Sequence, residues 1–570
     1  MKQDIPLFEV PHIDSIQNMI IGSARRFKDK MALEDFNETP ISKVSYNSLL
    51  ENVLRFGAAL RNLGIKERSH VAVIGENRVQ WSISYLTAMT FNLVVVPVDK
   101  NLGVNEILNI LHESEASSII FSETFGPMLR EKRLSLKHLK HYISMDLKKH
   151  EDGFHSMTEL INRTATLDMS KLPQIEVSEM AVIIFTSGTL GRAKGVMLSQ
   201  KNLASNLMDM VSQFGIFPED RFLSVLPMHH TYECTCGMLC PLYGGSSVYY
   251  ARSLKTIVED LQRSKATIML AVPLLYDKMF KAIYRGIKEK KLVAPIIRPM
   301  IRTADILEKI GWKGSKKVLF REIHHRFGGS IRCFIAGGAA PDPLVAKGLR
   351  EFGFGFVQGY GLTETSPILA LNRLCDFKDD AAGLPLPHVQ LRIADPDGDG
   401  VGEVFAKGPN VMIGYYKNEK ATADTFDGEW FRTGDVGFID MDGFLHISGR
   451  KKNVIISKNG KNVFPEEIED VLNRSPFIAE SMVFGETNEK EGEIIGAQIV
   501  VNAEAFIELS ETKGVQITPK LIHDVIDSEI RKVNRELPGY KQIKRFRIRD
   551  QEFQKTTTQK IKRFTVSPSD

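Results

Sequence analysis

The chain has 570 residues, 43% hydrophobic and 25% charged, the ordinary balance of a globular protein with room for roughly four average domains or one large multi-lobed enzyme. A formal net charge of +4 is too small for binding nucleic acid along the whole chain, and no aromatic-rich RNA-binding signature is present, so no nucleic-acid partner is expected. The start, Met1-Lys2-Gln3-Asp4, has no basic region leading into an apolar core, so no signal peptide is expected. No apolar run approaches the roughly 18 residues of a membrane span, and the longest candidate, 266–276, is broken by Pro273.

In chain order, Val71-Ala72-Val73-Ile74, residues 93–98 and 118–121 read as short buried strands separated by amphipathic stretches, the pattern of α/β layers. A further strand is expected over 181–185 and another over 196–198. Ser199 then caps a helix whose apolar face is Leu203, Leu207, Met210, Val211 and Phe214. Residues 278–326 read as helical and basic with few turn signals, and strand-like runs return at 331–336 and between 389 and 405. Around Gly449-Arg450-Lys451-Lys452 the character changes to a smaller α+β unit. Pro465-Glu466-Glu467 opens one helix there, and Thr518-Pro519 opens another with Leu521, Ile522, Val525, Ile526 and Val533 on one face and Gly539 as its stop. The expected architecture is α/β: a large multi-lobed N-terminal domain of layered mixed sheets and helices, residues 1–449, and a smaller α+β C-terminal domain, residues 450–570. The five cysteines (234, 236, 240, 333 and 375) are odd in number and lie in apolar contexts, so a reducing compartment and no disulfide framework are expected; Cys234, Cys236 and Cys240 match no zinc pattern and read as buried thiols.

Between the strands at 181–185 and 196–198 lies Thr186-Ser187-Gly188-Thr189-Leu190-Gly191-Arg192-Ala193-Lys194-Gly195, which reads as a loop built to hold a polyphosphate. Its glycines free backbone N–H groups to face an anion, its hydroxyls donate, and its lysine adds a compact charge. No Gly-Lys-Ser/Thr follows at the Walker A offset, which argues against the GTPase and ATPase families. Four further runs gain weight together. Gln358-Gly359-Tyr360-Gly361-Leu362-Thr363-Glu364-Thr365 offers a flat ring for a base, a hydroxyl for a phosphate and a hard carboxylate oxygen for Mg²⁺. Trp430-Phe431-Arg432-Thr433-Gly434-Asp435-Val436-Gly437 offers an aspartate in a tight glycine turn, suited to the two hydroxyls of a ribose. Arg450 in Ser448-Gly449-Arg450-Lys451-Lys452-Asn453 could join the nucleotide. In Lys555-Thr556-Thr557-Thr558-Gln559-Lys560-Ile561, Lys560 could neutralise a carboxylate and an α-phosphate as they meet.

In this order and at these separations the five runs resemble the adenylate-forming superfamily of acyl-CoA synthetases, luciferases and peptide-synthetase adenylation domains, and most resemble its long-chain fatty acyl-CoA synthetases. Gly408-Pro409-Asn410-Val411-Met412-Ile413-Gly414-Tyr415-Tyr416 adds another motif of that family, and Leu226-Pro227-Met228-His229-His230 resembles the segment bordering its acyl pocket. The resemblance implies a two-step ligase: fatty acyl-AMP formation with release of pyrophosphate, then acyl transfer to the CoA thiol with release of AMP. It implies that Tyr360 stacks on adenine with Gly337, Gly338 and Ala339 lining the other side and Gly361 adjoining, that Asp435 and Arg450 bind ribose, and that Thr363 and the loop Thr186, Ser187, Gly188, Thr189, Gly191, Lys194 hold phosphates. It further implies Mg²⁺ on Glu364, His230 beside the acyl carboxylate, Lys560 as catalytic lysine, Lys452 as the hinge of a mobile C-terminal domain, and Ser457, Gly460 and Lys461 near CoA.

Three positions depart from the family pattern. Leu190 stands for threonine and Ala193 for proline in the phosphate loop, and Gln559 stands for the glycine before the catalytic lysine. If that glycine has φ > 0, glutamine is strained there by roughly 1–2 kcal/mol, which keeps open a catalytically weak fatty-acid- or nucleotide-binding regulator. An acyl carrier protein in place of CoA also stays open. Between 531 and 564 stand twelve Lys/Arg and three Asp/Glu, a face that could meet CoA phosphates, an acidic carrier or an anionic membrane, or be merely solvated. The expected location is cytoplasmic, with peripheral contact at the inner membrane face an open alternative.

Overall fold

The structure is a computed structural model. It describes all residues except 1–4, 38, 187–192, 290–294, 458–460, 489–491, 557–560 and 567–570. The chain divides into two compact units, residues 1–391 with 406–431, and residues 392–405 with 432–570. The sequence boundary at 449/450 differs from this division, because strands Gly402–Lys407 and Trp430–Ile439 each pass from one unit to the other and residues 392–405 and 432–449 fall in the second unit.

The first unit is built from an eight-stranded and a nine-stranded sheet. Strand His70–Ile74 turns Val71 and Val73 to one apolar cluster and Ala72 and Ile74 to another, the period of two that a strand imposes when both faces are covered. In the other sheet, Ile268 and Leu270 of strand Ile268–Ala271 join that first cluster, while Met269 and Ala271 face a third. The shared cluster between the sheets is filled by helices Val79–Thr90, buried along its whole length, and Gln200–Phe214. The layers are therefore helix, sheet, helix, sheet, helix, as the alternating pattern predicts. Ser199 caps Gln200–Phe214, its hydroxyl accepting from the Asn202 N–H, and the five apolar-face residues named above are buried.

The stretch 278–326 is helical as expected: among the described residues it carries the helices Pro273–Glu289, Ile297–Lys309, Ser315–Leu319 and Arg321–Arg326, with Gly311 and Gly314 at φ +102° and +97° separating Ile297–Lys309 from Ser315–Leu319. Cys234, Cys236 and Cys240 are buried as expected, as is Cys333, whereas Cys375 is exposed. No helix among the described residues is long and apolar enough to cross a membrane.

The second unit carries a three-stranded sheet, Ile478–Asn488 antiparallel to Gly492–Val501 and the latter parallel to Arg545–Arg549. Helices Pro465–Leu472 and Pro519–Glu536 close its core through Ile468, Leu472, Ile526, Ile530 and Val533. Thr518 caps the second helix as expected, but the helix ends at Glu536. Pro538 cannot continue it, and Gly539 only opens the following turn.

Candidate active site

The candidate residues lie in both units and are described within each. In the first, Thr186 and Lys194 are cross-strand partners at the end of the antiparallel pair Met180–Thr186 and Lys194–Ser199, with Thr186 Oγ1 3.4 Å from the Lys194 carbonyl oxygen. Ser187, Gly188, Thr189 and Gly191 fall outside the described residues. Gly195 is closely packed: a Cβ there would come 2.9 Å from Ile183 and 3.2 Å from Tyr416.

The Lys194 ammonium sits 4.6 Å from the ring centroid of Tyr415, a cation–π contact. The hydroxyl of the same tyrosine donates to Glu364 Oε1 at 2.9 Å. Glu364 and Thr363 share the one-turn segment Thr363–Thr365, and the Met412 N–H donates to the Glu364 carbonyl at 2.8 Å. Beneath the turn, buried Asn410 donates to the carbonyls of Thr365 at 2.8 Å and Ile368 at 3.0 Å. The donor holding the half-buried Glu364 is a neutral hydroxyl, and no cationic side chain among the described residues is paired with this carboxylate. Among the described residues no group of three or more metal-ligating side chains exists. One carboxylate beside a phosphate-type lysine fits Mg²⁺, which favours one or two carboxylates plus phosphate oxygens and water over an all-protein cage.

Tyr360 is half-buried on strand Gly355–Gly361. Gly337, Gly338 and Ala339 leave the end of the adjacent parallel strand Cys333–Ala336, where Ala336 pairs with Gln358. Carboxyl ends of neighbouring parallel strands are where such sheets bind ligands. A Cβ on Gly361 would lie 1.8 Å from the Pro367 carbonyl oxygen, Gly338 has φ +83°, and a Cβ on Gly337 would meet the Tyr232 ring at 2.6 Å. Tyr232, whose hydroxyl donates to the Ile335 carbonyl at 3.1 Å, thus packs the segment after His230 against the loop beside Tyr360's strand.

His230 precedes a wide helical turn, Tyr232–Leu239, of the kind found at functional sites. Its neighbour His229 is half-buried, with Nε2 3.5 Å from Asp99 Oδ2. Burial, with Lys100 adding to it, pushes the His229 imidazole down to about 3 and keeps it neutral. Glu233 is fully buried, and neither carboxyl oxygen has a well-formed hydrogen bond among the described residues. Burial pushes this carboxyl up to about 8, outweighing the Ser224 hydroxyl and Leu226 amide, which favour its ionised form.

In the second unit Asp435 is not in a tight turn but inside strand Trp430–Ile439, buried and paired with Arg450. The turn-like glycine remains as Gly434 at φ +69°, and the strand carries a bulge between Val436 and Gly437. Arg450 Nε lies 2.8 Å from Asp435 Oδ1, and its Nη1 donates to the Thr433 carbonyl at 3.1 Å. Lys452 is exposed in the short turn Lys451–Asn453, and Asn453 donates to Glu466 at 2.7 Å. Ser457 and Lys461 close a small loop, the Ser457 N–H donating to the Lys461 carbonyl at 2.9 Å, with Gly460 outside the described residues.

Gln559 and Lys560 also lie outside the described residues. The chain flanking them is clamped: Lys555 and Ile561 form a bridge, Lys555 pairs with Glu480, and Arg563 forks onto both carboxylate oxygens of Glu469. Much of the basic stretch 531–564 is likewise engaged, since Arg531, Lys532, Lys541 and Arg545 pair with Asp527, Glu529, Glu467 and Glu486. That leaves less free charge for a membrane than the sequence count suggests.

The sequence motifs give Tyr415 and Tyr232 no role of their own, and helix Gln200–Phe214 carries a second, polar face outside those motifs. Asn202, Asn206, Asp209 and Gln213 reach from that face to the carbonyls of Pro409 and Val411, the carbonyl of Ile368, the His388 ring and the carbonyl of Leu371, bracing the strand that follows Glu364 and the loop that leads to Met412. Their i, i+4, i+7, i+11 spacing was a visible signal.

The family profile described as "AMP-binding enzyme" matches residues 22–416, and that described as "AMP-binding enzyme C-terminal domain" matches residues 467–560. The long-chain-fatty-acid–CoA ligase FadD15 of Mycobacterium bovis is 27% identical over 98% of this chain and 96% of its own. The chloroplastic long-chain-fatty-acid–[acyl-carrier-protein] ligase AEE15 of Arabidopsis thaliana is 28% identical over 83% of this chain and 75% of its own. The crystal structure of the anthranilate CoA ligase AuaEII with anthranoyl-AMP shares the fold, with a TM-score of 0.77 at 21% identity, covering 99% of this chain and 97% of that one.

Proposed function

This chain belongs to the AMP-binding enzyme family of adenylate-forming ligases, and from that premise we propose that it is an ATP-dependent long-chain fatty acid–CoA ligase. The observation that carries the proposal is the gathering of Lys194 and Glu364, a phosphate-type cation and a metal-type carboxylate, on two sides of one buried tyrosine. The fatty acid is supported by the relative of Mycobacterium bovis, named for that activity.

A carboxylate is a poor acyl donor because its leaving group would be oxide. In the first step a carboxylate oxygen of the fatty acid attacks the α-phosphorus of ATP, and the bond to pyrophosphate breaks. Tyr360 stacks on adenine against Gly337, Gly338 and Ala339, with Gly361 giving room. Asp435 accepts from the ribose hydroxyls beside Arg450. Thr363 and the loop Thr186, Ser187, Gly188, Thr189, Gly191, Lys194 hold the phosphates. Glu364 would hold Mg²⁺, whose chemistry is to neutralise charge on the phosphate oxygens. His230 borders the acyl carboxylate, and Lys560 bridges that carboxylate and the α-phosphate. No side chain is an activated nucleophile, so rate comes from positioning and charge stabilisation.

In the second step the CoA sulfur attacks the acyl carbonyl and AMP leaves. The C-terminal domain, 450–570, turns about Lys452 between the steps, withdrawing Lys560 and presenting Ser457, Gly460 and Lys461 to CoA. An acyl carrier protein as acceptor is favoured by one observation, the acyl-carrier-protein ligase of Arabidopsis thaliana among the relatives.

Pyrophosphate exchange into ATP across a panel of medium to very long fatty acids tests the first step, and comparison of CoA with carrier protein tests the second. Exchange with none of these acids overturns the ligase and favours the binding regulator suggested by Gln559. Transfer to carrier protein but not to CoA moves the assignment to an acyl-carrier-protein ligase.

A further inference from the structure

Tyr415 has no part in the scheme above, yet it touches two of its charged groups. The geometry points to Tyr415 as a positioning residue of the Mg²⁺–ATP site: its ring face holds Lys194, its hydroxyl holds Glu364, and the two opposite charges are thereby kept from pairing with each other. The inference rests on the roles proposed above for Lys194 and Glu364.

The placement follows from the backbone. Tyr415 pairs antiparallel with Val196, and Lys194, two residues along the same strand, projects from the same face. Tyr415 is 7% exposed, and its backbone N–H donates to Thr422 Oγ1 at 2.9 Å. Gly414 before it has φ +153°, and a Cβ there would come 2.7 Å from Thr422, so the ring is delivered by a backbone with little freedom to shift. Glu364 is held to the same segment twice, by its side chain to Tyr415 and by its carbonyl to the Met412 N–H. A lysine and a glutamate this close to one site would otherwise attract each other, and an incoming triphosphate would have to break that pair. A tyrosine offers each charge a neutral partner: the ring quadrupole for the ammonium and a proton donor for the carboxylate.

The test is calorimetric binding of α,β-methylene-ATP, which cannot release pyrophosphate, with and without Mg²⁺. Tyr415→Phe keeps the ring and loses the hydroxyl. It is expected to raise the Mg²⁺ concentration for half-maximal binding by about ten- to a hundredfold, as losing a hydrogen bond to a charged group does, with metal-free binding unchanged. In a Glu364→Gln background the same change is expected to add nothing. Tyr415→Leu, which also removes the ring, is expected to weaken metal-free binding, and Lys194→Ala is expected to do the same. The parental Mg²⁺ dependence in Tyr415→Phe, or an equal loss with and without metal, overturns the inference. If Tyr415→Leu fails to fold, Tyr415→Phe and its Glu364→Gln cycle decide alone. A parent that binds the analogue normally but activates no fatty acid counts against the proposed reaction and leaves this result standing.

Discussion

Asp435 and Arg450 face each other across an antiparallel strand pair, with Arg450 Nε 2.8 Å from Asp435 Oδ1. The pair lies in one continuous hairpin of the second unit, so the distance between the two groups is set by ladder hydrogen bonds rather than by a loop. One oxygen of the carboxylate is thus oriented by the guanidinium.

Asp435→Asn should raise the Kd for AMP by about ten- to a hundredfold, because an amide accepts more weakly than a carboxylate from both ribose hydroxyls. Thermal melting read alongside should show a smaller effect, since Arg450 is partly exposed and water can replace its partner. Unchanged AMP affinity would remove Asp435 from the ribose site.

Lys560→Ala should abolish adenylation while leaving thioester formation from supplied acyl-adenylate intact, because Lys560 is proposed to serve only the first step. Lys555→Ala is the discriminating control. Lys555 already pairs with Glu480 at the base of the segment, so its loss should lower the melting temperature and leave adenylation within about threefold. The reverse pattern would make Lys555 the working residue.

Lys452→Pro should slow thioester formation by at least about tenfold while adenylation stays near the parental rate. Lys452 lies in the first residues of a short helical turn, where proline is tolerated, but proline fixes φ and a hinge must change it. Lys452→Ala, which removes the same side chain without fixing the backbone, should run both steps normally. Equal rates for the proline variant in both steps would place the hinge elsewhere.

Glu233 predicts a pH effect on stability. Its folded carboxyl is raised to about 8 by burial, whereas an unfolded glutamate titrates near pH 4.3. Between these values the native state binds more protons than the unfolded chain, so stability falls as pH rises through this window and levels off above it. Glu233→Gln removes the titration. Melting temperatures measured from pH 4.5 to 9 should fall less steeply for the variant, with a differential of the order of a few kcal/mol at the alkaline end. Parallel curves would mean that Glu233 titrates normally.

Much of the architecture is local information. Val71-Ala72-Val73-Ile74 is apolar at every position because both faces of its strand are covered, and Ser199 and Thr518 cap their helices through contacts three residues away. The site motifs are equally legible as residues, since glycine, tyrosine, glutamate and aspartate in those runs carry their chemistry with them. What they do not carry is their environment. Asp435 reads as a turn residue from its glycines, yet it stands mid-strand because Arg450, 15 positions on, pairs with it. Tyr415 joins Lys194 to Glu364 across long stretches of chain, and Asn206 reaches Ile368 from 162 positions away. Composition and periodicity report which groups prefer water and which repeat on one face. The choice of partner for a buried polar group is made by sheet order and helix placement, which bring distant segments within about 3 Å of each other, and an unpartnered polar atom in the core is costly.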